Sequence, residues 1–200
     1  MASHAEPVEH HHGPPIANQS SRVDPRVLGM FLFIASEVMV FGAFFTAYFF
    51  VRVVAESPWP QPPFHLPVFV AGVNTAILVT SSFTVHWALQ SIKRDNRAGL
   101  QAGLVLTIAL GLVFLLTQAR EYSRVGFAPS DGAFGSIFFG LTGLHGAHVF
   151  IGLTLLTFAA IRSFRGHFSA AHHHGVEIPG IYWHFVDVMW IVVYTSIYIL

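Results

Sequence analysis

Residues Val27–Val54 read VLGMFLFIASEVMVFGAFFTAYFFVRVV, an apolar stretch interrupted by charge only at Glu37 and Arg52. As a helix it is long enough to cross a hydrocarbon core, which needs about 20 residues. Four further stretches repeat the pattern, at about 66–89, 98–119, 133–161 and 181–200. Composition agrees with them. Apolar residues make up 54% of the chain, charged residues only 10%, and the mean hydropathy is +0.59. A soluble domain carries roughly a quarter charged residues, so this chain lacks the polar surface to stay in water. The sequence therefore predicts an all-α polytopic membrane protein, a bundle of five transmembrane helices.

The remaining composition narrows the class. Formal net charge is zero, which leaves no basic face for nucleic acid. The absence of cysteine excludes disulfides, thiolate metal sites and cysteine catalysis. Twenty phenylalanines suit lipid-facing and tightly packed helices, because the ring needs no polar partner. Residues 1–24 differ from all that follows: His10, His11, His12, Pro14, Pro15, Asn18 and Ser20 stand there without apolar periodicity. They read as a disordered His/Pro-rich tail with no apolar core or cleavage site of a signal peptide.

The connections carry charge and turn chemistry. Glu56–Pro63 is proline-rich, Lys93–Arg97 is a charged turn, Pro129–Gly132 stands where it can cap the fourth helix, and Pro179-Gly180 reads as a stop before the fifth. Lysine and arginine set the expected orientation. Arg22, Arg26, Lys93, Arg94, Arg97, Arg162 and Arg165 fall on the N-terminal side, against Arg52, Arg120 and Arg124 opposite. That bias predicts a cytoplasmic N-terminus and a C-terminus outside.

Polar residues inside spans are costly and mark candidate sites. Glu37 lies roughly 15 Å into the first span, and its helical neighbours Phe33, Phe41 and Phe44 offer no partner. A bare anion there is expensive, so a partner must come from another helix or from water. Its two readings are a proton or polar-ligand contact, and a hydrogen bond that glues helices. In the fourth span Thr142, His145 and His148 stand at three-residue steps near one face. Two histidines fall short of a metal shell, and the same helix is rich in glycine, so interhelical packing explains them. Tyr182 and Trp183 read as an interfacial anchor. His184 and Asp187, one turn apart near the membrane surface, can bond each other. Asn74, Ser81, Ser82, Gln118 and Glu121 read as interhelical contacts. Nowhere does a nucleophile stand beside a base, so no catalytic residue is assigned.

Several strings together resemble subunit III of the haem-copper respiratory oxidases. They are LGMFLFIASE at 28–37, FFTAY at 44–48, NTAIL at 74–78, QAREY at 118–122, TGLHGAHV at 142–149, HHGVE at 173–177 and YWHFVDVMW at 182–190. They occur in one register from about Val27 to Leu200. The resemblance implies an accessory subunit of a proton-translocating cytochrome-c oxidase in a bacterial inner membrane, with no cofactor of its own. Haems and copper would sit in the partner subunits; subunits I and II and membrane lipids, with bound phospholipid, would be its partners. It further implies lipid- or proton-related roles for Glu37, His145, His148, Glu177, His184 and Asp187. His172, His173 and His174 become a proton-collecting surface, since histidine titrates near neutral pH. Longer family members have seven helices, with a lipid cleft between the first pair and the other five; this sequence shows five. Five-helix forms resemble bacterial oxidases that take electrons from cytochrome c or from quinol, and cytochrome c is the expected donor. A nitric-oxide-reductase-associated homologue, a membrane haem protein and a proton channel are the rival readings.

Overall fold

The computed structural model describes residues 24–55 and 66–200. The predicted tail, apart from Asp24, and the loop Glu56–Pro63 lie outside the described residues. Five apolar helices, each long enough to span a membrane, account for most of the rest: α1 (Pro25–Val54), α2 (Val68–Lys93), α3 (Arg97–Tyr122), α4 (Gly132–Phe164) and α5 (His174–Tyr194), the last running on through a π-helical turn, Thr195–Ile199. No β-strand occurs among the described residues, only an isolated bridge between Ser169 and His172.

Local chemistry sets the helix ends. Asp24 caps α1 by accepting a hydrogen bond from Arg26 N at 2.7 Å, with Pro25 at the first helical position, where no amide hydrogen is needed. Between α2 and α3 the chain reverses through Asp95, whose φ of 54° lies in the left-handed region. Asn96 then caps α3 through Gly99 N at 2.9 Å. The α4 start differs from expectation. Asp131 makes no side-chain cap there; its carboxylate instead accepts from Ala128 N at 2.7 Å and holds the preceding turn.

The start of α5 corrects the sequence reading more substantially. Pro179 and Gly180 lie inside the helix and are buried. A proline in a helix interior loses one backbone bond, but in a membrane bundle the neighbouring helices make it tolerable. Starting at His174 adds two turns, so Asp187 stands about 20 Å along the helix. Tyr182 and Trp183 are therefore core residues, 1% and 0% exposed, and not an interfacial anchor.

Helices α2, α3, α4 and α5 each pack on the next, and α5 closes back on α2; α1 lies outside this ring against α4 and α5. Glycine makes the ring tight. A Cβ at Gly103 would fall 2.7 Å from Ala88 Cβ, so only glycine lets α2 and α3 approach this closely. Trp183 fills a slot between α3 and α4, where a Cβ at Gly111 or Gly152 would meet its indole at 2.7 or 2.8 Å. Helix α1 contributes only Phe41 and Tyr48 as buried residues, and it turns Phe31, Leu32, Met39, Phe50 and Val53 outward.

Candidate functional site

The deep carboxyl of α1 finds its partner on α4. Glu37 Oε2 lies 2.9 Å from His148 Nε2, and His148 Nδ1 lies 2.8 Å from Leu144 O. A carbonyl oxygen can only accept, so Nδ1 carries a hydrogen. One further proton must then lie between Nε2 and the carboxyl. The pair is either a carboxylic acid donating to a neutral ring or a carboxylate accepting from an imidazolium. Both forms have no net charge, which is how the pair is accommodated among aromatic rings. Phe41 lies 5.0 Å and Phe185 6.3 Å from the His148 ring, while Tyr182 stacks on it at 6.5 Å.

Only one of the two α4 histidines joins this site. A three-residue step turns the helix by 300°, and the remaining 60° sends His145 elsewhere. His145 is fully buried, and neither ring nitrogen has a hydrogen-bond partner among the described residues. Its ring rests on Trp190 at 4.9 Å and against the edge of Phe114 at 5.8 Å. Thr142, on the same face by sequence, accepts instead from Tyr122 of α3 at 2.9 Å.

The α5 pair is assembled by a third residue. His184 and Asp187 do not bond each other; both bond Ser82 of α2. Its hydroxyl donates to Asp187 Oδ2, so His184 Nδ1, 3.0 Å from the same oxygen, must be the donor to it. Asp187 Oδ1 has no hydrogen-bond partner among the described residues. Reading Ser82 as a generic interhelical contact missed this bridging role. Ser81 beside it accepts from Trp183 Nε1 at 2.9 Å, and Trp190 Nε1 reaches Thr75 Oγ1 at 2.9 Å. Asn74 donates to Phe114 O at 3.3 Å.

At the end of the bundle where α5 begins, His173 and His174 stack at 5.6 Å. Glu177 Oε2 lies 3.1 Å from His174 Nδ1 and 4.0 Å from His173 Nε2. Asp24 approaches His174 Nε2 at 3.5 Å. His172 joins none of these pairs but shares with His174 the lining of a cavity of about 370 Å³, together with Arg26, Arg162 and His167. At the opposite end Tyr48 donates to Ser196 O at 2.8 Å, and Arg52 donates to Tyr48 Oη and Leu200 O. This clamp was not anticipated; the signal was an arginine one turn past a tyrosine in an apolar helix. No group of three histidine, aspartate and glutamate side chains among the described residues is placed to hold a metal ion.

Comparison with known proteins adds a second line of evidence. A family model described as cytochrome c oxidase subunit III matches residues 19–200. The chain is 41% identical over 194 residues to cytochrome c oxidase subunit 3 of Thermostichus vulcanus, covering 96% of this chain and 92% of that protein. It is 43% identical over 194 residues to the subunit 3 of Oryctolagus cuniculus, covering 94% of this chain and 72% of that protein. With the Homo sapiens subunit 3 it shares 42% over 197 residues, again 94% of this chain and 72% of that protein.

Proposed function

Because the chain belongs to the cytochrome c oxidase subunit III family, we propose that it acts as a non-redox accessory subunit of a terminal oxidase, packed against subunits I and II that hold the haems and copper. The single observation that carries this reading is the match over nearly the whole chain to proteins named cytochrome c oxidase subunit 3. Its own polar side chains support it. Those of the spans are largely committed to joining helices, as Glu37 joins α4 and Ser82 joins α5. Helix α1 presents an apolar face suited to a neighbouring subunit or to lipid.

In this role the Glu37–His148 bond keeps α1 against the ring while the complex turns over. The lysine and arginine bias supports a cytoplasmic position for the His173–His174–Glu177 group in what we take to be a bacterial inner membrane; there it gathers protons for the catalytic subunit's uptake path. Cytochrome c is the electron donor we assign. Purifying the tagged chain in mild detergent tests the reading. A partner carrying haem and copper, with oxygen consumption driven by reduced cytochrome c, is expected. Isolation without any haem-copper partner would sink the accessory role, and turnover with quinol but not cytochrome c would overturn the donor.

A further inference from the structure

From Pro25 onward α1 buries no side chain for about four turns; Phe41 is its first buried residue. Among the described residues, the polar contact that reaches the Pro25 end of α1 from the ring is made by Asp24. One carboxylate oxygen, Oδ1, caps α1 by accepting from Arg26 N at 2.7 Å. The other, Oδ2, faces His174 Nε2 at 3.5 Å. Across the same imidazole, Nδ1 lies 3.1 Å from Glu177 Oε2. One ring therefore stands between two carboxylates, one at the start of α1 and one on α5.

The number of hydrogens on that ring decides what it can join. A neutral imidazole carries one N–H and one lone pair, and a carboxylate only accepts. Whichever nitrogen holds the hydrogen, the other turns its lone pair toward an anionic oxygen. Glu177 is the nearer acceptor and sits one turn along the same helix, so it keeps the hydrogen and Asp24 loses its partner. The protonated ring has two N–H groups and serves both carboxylates, with a charge that attracts each. The link from α1 to α5 is thus made by a proton, and histidine changes charge between about pH 5 and 8.

The α5 side of this link is anchored. His173 Nδ1 donates to Ala170 O at 2.7 Å, and Ala170 N donates to Asp95 Oδ1 at 2.8 Å, tying the connection to the turn between α2 and α3. Phe168, 4% exposed, packs against Gly175 and carries Arg162 over its ring at 5.4 Å. On α1, by contrast, Pro25, Arg26, Leu28 and Gly29 are exposed. Other charges act on the His174 ring. Arg26 of α1, Arg162 of α4 and the positive end of α5 oppose its charge, while Asp24 and Glu177 favour it. His173 stacks on it at 5.6 Å, and His167 and His172 share its cavity. Among these histidines, His174 is the one that reaches a carboxylate of α1.

We propose that His174 is a proton-operated latch on α1. Charged, it holds Asp24 against α5; neutral, it stays with Glu177 and frees the Pro25 end of the helix. The latch passes no proton onward, so it stands whether or not the neighbouring histidines gather protons for a partner subunit. Both side chains are partly exposed, so a surface ion pair sets the scale: the closed-to-open ratio at this end should change roughly two- to fivefold.

The sequence contains no cysteine, so two can be introduced for spin labels, at Leu28 on α1 and Lys93 at the end of α2, both exposed. The protein, purified in mild detergent with its accompanying subunits, is measured by double electron–electron resonance at about pH 5.5 and about pH 8.5, on either side of the usual histidine value. The same preparation without the introduced cysteines supplies the background. One narrow distance is expected at the lower pH, and a second, broader component at the higher. His174→Arg is charged at both pH values and should stay closed at both, whereas His174→Gln should show the broader component at both. Asp24→Ser keeps an N-cap but is too short to meet His174, and should also lose the pH response. Identical distributions at the two pH values before any change to Asp24 or His174 would overturn the latch, as would a pH response that survives in Asp24→Ser. Opening of His174→Arg at the higher pH would overturn it too, and would move the response to the other titratable tie of α1, Glu37 with His148.

Discussion

Replacing Glu37 tests how α1 is held to the ring. His148 Nδ1–H is committed to Leu144 O, so Nε2 remains the atom that Glu37 must satisfy. Glutamine can donate from its amide to a neutral Nε2, so Glu37→Gln keeps one hydrogen bond and should cost no more than about 0.5 kcal/mol. Leucine at the same place leaves Nε2 facing Phe41 and Phe185. Interhelical bonds in membranes are worth about 0.6 kcal/mol on average and up to about 1.7, while an unsatisfied buried group costs about 1–3. Glu37→Leu should therefore cost about 1–2 kcal/mol. His148→Leu should cost a similar amount, because it strands the carboxyl. The double leucine variant removes both polar groups at once and should recover about 1 kcal/mol of the summed losses. Reversible unfolding in mixed micelles, followed by the fluorescence of buried Trp183 and Trp190, measures all four proteins. If Glu37→Gln is as damaging as Glu37→Leu, or the coupling is near zero, the hydrogen bond does not hold α1.

Other expectations follow from the same geometry. Ser82→Ala should cost about 1–3 kcal/mol, because it strips the shared partner from His184 and Asp187, and Ser82→Thr should restore most of the loss; thermal denaturation in detergent reads both. Gly111→Ala and Gly152→Ala should each destabilise by about 1–3 kcal/mol by driving a methyl into Trp183, whereas Gly143→Ala and Gly146→Ala should be near neutral, because a Cβ there meets no atom within 4 Å. Changing His172, His173 and His174 together to Asn should slow turnover of the complex mainly at high pH, where protons are scarce; an unchanged pH profile refutes a proton-collecting role.

How legible the chain was depends on how local the governing physics is. Helices α2, α3 and α4 are continuous apolar runs with charged or glycine-bearing ends, and their predicted ranges differ from the observed ones by only a few residues. The start of α5 was misplaced because its first two turns hold His174, Glu177 and Pro179, residues that propensity assigns to a loop. In the bundle they join a helix whose beginning is stabilised by tertiary packing. That one displacement also misplaced Tyr182 and Trp183, whose interfacial reading followed from counting depth from the wrong end. The site was legible in kind but not in pairing. Glu37 announced itself as a carboxyl in a phenylalanine-rich helix, yet its partner is 111 residues away. Periodicity says which face a residue occupies and is silent on which helix meets that face. His145 and His148 show the cost of the coarser rule, since a three-residue step is close enough to suggest one face and far enough to reach two different neighbours.

The distribution of buried polar atoms gives α1 a different status from the other helices. Among the described residues α2 and α5 are joined side chain to side chain by Ser82, Ser81 and Thr75 with His184 and Asp187, Trp183 and Trp190 respectively, and Tyr194 Oη donates to Val68 O at 3.4 Å besides. The Ser81–Trp183 join is buried and the others lie at least partly within the ring or at its end, so removing one leaves the register held by the rest. Among the described residues helix α1 is tied at depth by Glu37 to His148, and at the far end by a clamp, Tyr48 and Arg52 on the last turn of α5. Its remaining surface is mostly exposed apolar side chain. Lipid tails are as apolar as that surface, so burial supplies little force to hold α1 in place. It follows that α1 is the helix whose position depends most on a few named atoms. Losses of stability should therefore appear first as α1 leaving α4, with the four-helix ring still closed behind it.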